Sequence, residues 1–215
     1  MSHRRAFLAQ LGAAASLLAF DADELRAAPS ANDGPWDTSW LDRLAAAKYR
    51  VVFNGNQMNY GEVMSYAATF LDNFHEVHGT ADSETVPVIV FRRLGTALAL
   101  NDASWNRYEI GAAEKIMDPL TNAPARRNIY WSSGSGEELR GDRIKPLHAR
   151  GMISLVCNVA LGNVGRNFAE QFKLDVTEVQ ANLRANLVPG AILVPSGIYA
   201  LIRAQNAGCA FMPGT

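Results

Sequence analysis

Cys157 closes the apolar run Met152-Ile-Ser-Leu-Val156, is followed by Asn158, and stands just ahead of a helix-compatible stretch beginning near Ala160. A thiol at such a junction meets free backbone N–H groups and the positive end of a helix dipole, both of which stabilise a thiolate. A neighbouring arginine would add to that. The competing reading makes Cys157 the last small apolar residue of a strand, because free cysteine is often buried and inert. Three other apolar runs end in polar residues: Asn54-Gly55-Asn56, Arg92-Arg93 and Ser196-Gly197. Ligands of open α/β sheets bind beyond the carboxyl ends of the strands. That rule makes Cys157 the candidate nucleophile and Asn54, Asn56, Arg92, Arg93, Asn158 and Ser196 the candidate ligand-binding residues.

Other constellations carry less. His75-x-x-His78 sets two imidazoles one helical turn apart, with Glu76 and His148 as further donors, but no third ligand stands at a metal-site spacing, so no metal is expected. The sequence has no G-x-G-x-x-G, Walker loop or G-x-S-x-G, and no cofactor is expected. Ser196 is read as a helix cap before it is read as a nucleophile, and Arg126-Arg127 as a solvated loop pair. Cys157 follows one strand whereas Cys209 precedes another. In a parallel sheet those positions lie at opposite ends, out of disulfide reach.

The elements that must hold these residues alternate. Tyr49–Phe53, Val86–Phe91, Met152–Val156 and Ala191–Val194 read as strands, with Cys209–Met212 as a last short one. Asn59-x-x-Glu62 has capping-box spacing ahead of a helix carrying Val63, Ala67, Phe70, Phe74 and Val77. Further helices are expected at Trp40–Lys48, Asp102–Ile116 and Ala160–Phe172. Another is capped by Thr177-x-x-Gln180 and stops at Pro189-Gly190, and the last runs from Ile198 towards Gly208. Strands apolar at nearly every position are buried on both faces. The expected fold is therefore a three-layer α/β/α sandwich with a mostly parallel sheet of about five strands. Residues 117–146, rich in Pro, Asn, Gly and Ser, interrupt this pattern. A loop of that length is either a lid or binding loop, or a surface insertion without a role.

The chain begins with an address. Arg4-Arg5, then Phe7-Leu8, the ten-residue apolar block Leu11–Phe20 and small residues up to Ala31 have the layout of an export signal. The paired arginines resemble the twin-arginine signal read by the Tat translocase, which places the mature protein in the periplasm. The other reading is an amphipathic N-terminal helix. The organisation expected is 1–30 signal, 31–47 linker and short helix, and 48–213 domain. The apolar block is too short to span a bilayer, so no stable membrane span is expected. Of the 215 residues 48% are hydrophobic, and 20 Lys and Arg balance 21 Asp and Glu. A net charge of −1 lacks the positive field of a nucleic-acid binder. Residues 1–28 hold three basic and three acidic side chains, so cleavage there leaves the charge unchanged.

Three segments carry a family likeness. Ile153-Ser-Leu-Val-Cys157-Asn158-Val-Ala-Leu, Leu187-Val-Pro-Gly-Ala-Ile-Leu-Val-Pro195-Ser196-Gly197-Ile and Ala204-Gln205-Asn-Ala-Gly208-Cys-Ala-Phe resemble, in that order, the motifs of the DsrE/DsrF-like family. The likeness is good over 150–212 and looser over 48–110. Phe211 and Cys209 replace the usual closing aromatic pair, and the 117–146 insertion has no counterpart in compact members. The resemblance implies a parallel α/β/α fold, a homo-oligomer, and a persulfide on Cys157 passed between sulfur-donor and sulfur-acceptor proteins. The function expected is an exported sulfur carrier or sulfurtransferase. The alternative is a non-catalytic periplasmic protein of the same fold that binds a small ligand or serves assembly.

Overall fold

The structure is a computed structural model that describes residues 36–131 and 142–214. The export segment and most of the linker expected from the sequence therefore lie outside the described residues. Five parallel strands form one sheet: β1 (Tyr49–Gly55), β2 (Thr85–Phe91), β5 (Ile153–Cys157), β6 (Ile192–Val194) and β7 (Ala210–Met212). Their spatial order is β6-β5-β2-β1-β7. Helices cover both faces, making the α/β/α sandwich expected from the apolar strands.

The layers follow from alternation along each strand. On one face Val51, Phe53, Ile89, Phe91 and Val156 pack against α2 (Glu62–His78), α6 (Asn158–Phe172) and α7 (Val176–Ala185). On the other, Val52, Val88, Val90, Ile153 and Leu155 pack against α1 (Trp40–Ala46) and α8 (Gly197–Asn206). Trp40, the first residue of α1, is fully buried in this second core. Full burial of one such side chain stabilises the fold by about 2–3 kcal/mol.

Helix boundaries are where local reading and tertiary structure part. The stretch expected as one helix over Asp102–Ile116 is two, α3 (Asp102–Arg107) and α4 (Ile110–Ala113), separated by Glu109 in the left-handed region at φ 49°. The break brings Gly111 against the Ala125 backbone, where a Cβ would lie 2.2 Å from the carbonyl oxygen. The Asn59/Glu62 pair does not form a capping box. Asn59 donates to the Glu62 carboxylate, while Gly61, at φ 77°, starts α2. Asp175, not Thr177, caps α7 by accepting from the Glu178 N–H at 2.8 Å.

The described parts of 117–146 are bound into the first core. A short antiparallel pair, β3 (Met117–Asp118) and β4 (Ala123–Pro124), is braced by Arg127, which donates twice to Asp118 at 2.8 and 2.9 Å and holds that carboxyl below its usual range. Buried Asn128 donates to the carbonyls of Leu98 and Leu100, both at 2.7 Å, and accepts from the Tyr130 N–H. Tyr130 packs on Trp105, and the chain re-enters through α5 (Ile144–Ala149).

His148, near the end of α5, meets the Ser154 hydroxyl at 2.8 Å and the edge of Trp131. Burial, with Arg43 adding to it, lowers its pKa from 6.5 to about 4. The unfolded chain thus binds this proton near pH 6.5 and the folded chain only near 4. Stability from neutral His148 is complete above 6.5 and is lost as pH falls through that window. Urea unfolding should show a decline on the order of 3 kcal/mol between those limits. His148→Gln should flatten that part of the profile.

Candidate functional site

The carboxyl ends of the paired strands β2 and β5 frame a cleft. Strand β5 hands its chain to α6 on the first face, while neighbouring β6 hands its chain to α8 on the second. Ligands of open α/β sheets bind beyond strand ends of this kind. Cys157, in register with Val194, is the last residue of β5.

Cys157 is also the N-cap of α6. Its Sγ accepts from the Ala160 N–H at 3.3 Å, so the sulfur takes the place usually filled by a Ser or Asp oxygen. The residue is 5% exposed, and its side chain lines a cleft of about 330 Å³. Arg92 and Arg93, from the turn after β2, line the same cleft. Among the described arginines, only these two and Arg203 make no side-chain hydrogen bond or ion pair. Arg93 takes a left-handed conformation at φ 50°, and its carbonyl accepts from the Thr96 hydroxyl at 2.7 Å. Gly197 makes room for Arg92: a Cβ there would sit 3.0 Å from the arginine Cδ.

The remaining strand-end residues are elsewhere. Asn158 accepts from Arg184 Nε at 2.6 Å and does not line the cleft, so it is not placed as the ligand-binding residue expected from the sequence. Ser196 caps α8, accepting from the Tyr199 N–H at 3.1 Å. It reaches the site only through Gly197. Asn54 lies near the end of β1 and Asn56 just after it, with β2 between them and β5, and neither lines the cleft. No described residue of 117–146 lines it either. The histidines are used structurally: His75 meets the Thr80 carbonyl, and His78 stacks on Tyr49.

Sequence reasoning missed the α6 wall. Val159, Asn163 and Asn167 line the cleft at i, i+4 and i+8, a spacing that marks one helical face running away from the cysteine. Leu94 faces them across the mouth, and Leu94 and Val159 are both about half exposed. A larger groove of about 630 Å³ between β1, β7 and α2 is apolar and holds neither thiol nor carboxylate side chains.

No family model and no curated protein matches the chain. The chain is similar to a solved protein of unknown function from Methanobacterium thermoautotrophicum. The two are 15% identical, with 77% of this chain and 98% of the other covered and a TM-score of 0.42.

The two thiols are separate and unpaired. Cys209 lies buried before the edge strand β7. Burial pushes its thiol up to about 11 against the pull of Arg50. Only a thiolate alkylates readily. Iodoacetamide at pH 8 should therefore label native protein once, at the peptide containing Cys157, and Cys157→Ser should abolish that label. Cys209 should be labelled only after denaturation.

Proposed function

We propose that this protein is an exported sulfur carrier or sulfurtransferase in which Cys157 holds a persulfide. The observation that carries this reading is the position of Cys157: the only thiol in the cleft at the ends of β2 and β5 among the described residues, with an N–H donor on its sulfur. In the loading step the Cys157 thiolate attacks the outer sulfur of a donor persulfide. A new S–S bond forms, the donor's S–S bond breaks, and the donor leaves as a thiolate. In unloading, an acceptor thiolate attacks the outer sulfur held on Cys157 and the Cys157 thiolate is regenerated. The sulfane sulfur changes hands with no net oxidation. The Ala160 N–H meets the Cys157 sulfur, the atom that attacks in loading and is released in unloading. The apolar lips at Leu94 and Val159 suit an acceptor protein that delivers its own thiol into the cleft.

The same likeness in sequence supports a homo-oligomer, and the twin-arginine start supports export by the Tat translocase to the periplasm. A binding protein that uses the cleft without chemistry is the alternative, and sulfur on Cys157 separates the two. Protein isolated from its own host without reductant should carry an adduct of about 32 Da on the peptide containing Cys157, as persulfidation requires. Cys157→Ser should carry none, and the consistent absence of the adduct under sulfur-replete growth would favour the binding protein. Replacing Arg4-Arg5 with Lys-Lys should trap the precursor in the cytoplasm, as cell fractionation would read. Unchanged secretion would rule out the Tat route.

A further inference from the structure

We propose that the sulfur donor taken by this cleft is an inorganic sulfane dianion of the thiosulfate class, held by the guanidinium groups of Arg92 and Arg93. The inference rests on the carrier reading of Cys157 and names the substrate of that same site.

The cleft has the charge of an anion site. Two arginines adjacent in sequence both line it, and neither has a carboxylate or carbonyl partner, whereas every other described arginine except Arg203 has an oxygen partner. No acidic side chain lines the cleft among the described residues. Two like charges side by side without a counter-ion repel, and a dianion relieves that repulsion while offering oxygens to both guanidinium forks. The stem of Arg92 passes close over Gly197, where a Cβ would sit 3.0 Å from the arginine Cδ, and Arg92 lines the cleft from there. A cleft of about 330 Å³ holds a small tetrahedral oxyanion with room for water, and the side-chain amides of Asn163 and Asn167 stand on the opposite wall.

The chemistry balances without a further reagent. With the sulfonate oxygens on Arg92 and Arg93, the Cys157 thiolate attacks the outer, sulfane sulfur of thiosulfate. The Cys157–sulfur bond forms, the sulfane–sulfonate S–S bond breaks, and its electron pair leaves with sulfite. The products are the Cys157 persulfide anion and sulfite. The arginines neutralise the charge that gathers on the departing sulfite.

The test is a single-turnover reaction of the mature full-length protein with sodium thiosulfate, reading sulfite release and the mass of the Cys157 peptide. A parallel reaction uses 2-hydroxyethyl persulfide, a donor without a sulfonate. Thiosulfate should load Cys157 with release of one sulfite per persulfide. Arg92→Gln and Arg93→Gln should each slow that loading by about tenfold, the usual effect of losing one charge-assisted contact. Loading from 2-hydroxyethyl persulfide should be unchanged in both variants, which also verifies that they are folded. If wild-type protein loads from the organic persulfide but not from thiosulfate, or if both substitutions leave thiosulfate loading unaltered, the anionic-donor inference is overturned and the carrier reading stands. If neither donor loads Cys157, both fall.

Discussion

The handedness of strand crossovers is the constraint on which this structure depends. A parallel strand–helix–strand unit closes almost always as a right-handed turn. A sheet that grows from β1 through β2 and β5 to β6 must therefore keep its helices on one face. The return from β6 to β7, on the far side of β1, must run across the other. The reversal forces the chains leaving β5 and β6 apart. The cleft beside Cys157 lies between the turn after β2 and the start of α6, at the carboxyl ends of the paired strands β2 and β5.

Several small economies keep the cleft chemically useful. The sulfur of Cys157 does the work of an N-cap, so the nucleophile is oriented by the helix it begins. Gly197 gives up a side chain to let Arg92 lie across the start of α8, and Ser196 satisfies that helix instead of facing the cleft. Arg93 is held in a backbone conformation that costs a non-glycine residue on the order of 1 kcal/mol. These choices place two cations and one thiol together while the surrounding polar residues are absorbed into caps and turns. Asn158 illustrates the selection: it neighbours the thiol in sequence, yet its amide is claimed by Arg184 from α7.

The interrupting segment has a different part in the molecule. Its described portions are fastened to the first core by Asn128 and Tyr130 and braced internally by the Arg127–Asp118 pair, and Ile144 and Leu147 of α5 are fully buried. Among its described polar residues, Asp118 and Asn128 are buried and bonded within the protein, while Thr121, Asn122 and Arg126 are exposed. This is why periodicity failed to register it: buried asparagine and aspartate satisfied by distant carbonyls and guanidinium groups leave no apolar stripe.

Local sequence determined the strands, their burial on both faces and hence the parallel three-layer class, because alternation and apolar runs are written residue by residue. It also determined which side chains end each strand, so Cys157, Arg92 and Arg93 were legible as candidates. Tertiary structure alone decided which of those ends share a cleft. Strand order placed β5 between β2 and β6, and β2 between β5 and the asparagines of β1. It also broke the helix at Glu109 so that Gly111 could meet Ala125. Such decisions depend on residues far apart in the chain competing for the same space and the same hydrogen bonds, and no window of neighbouring residues contains that competition.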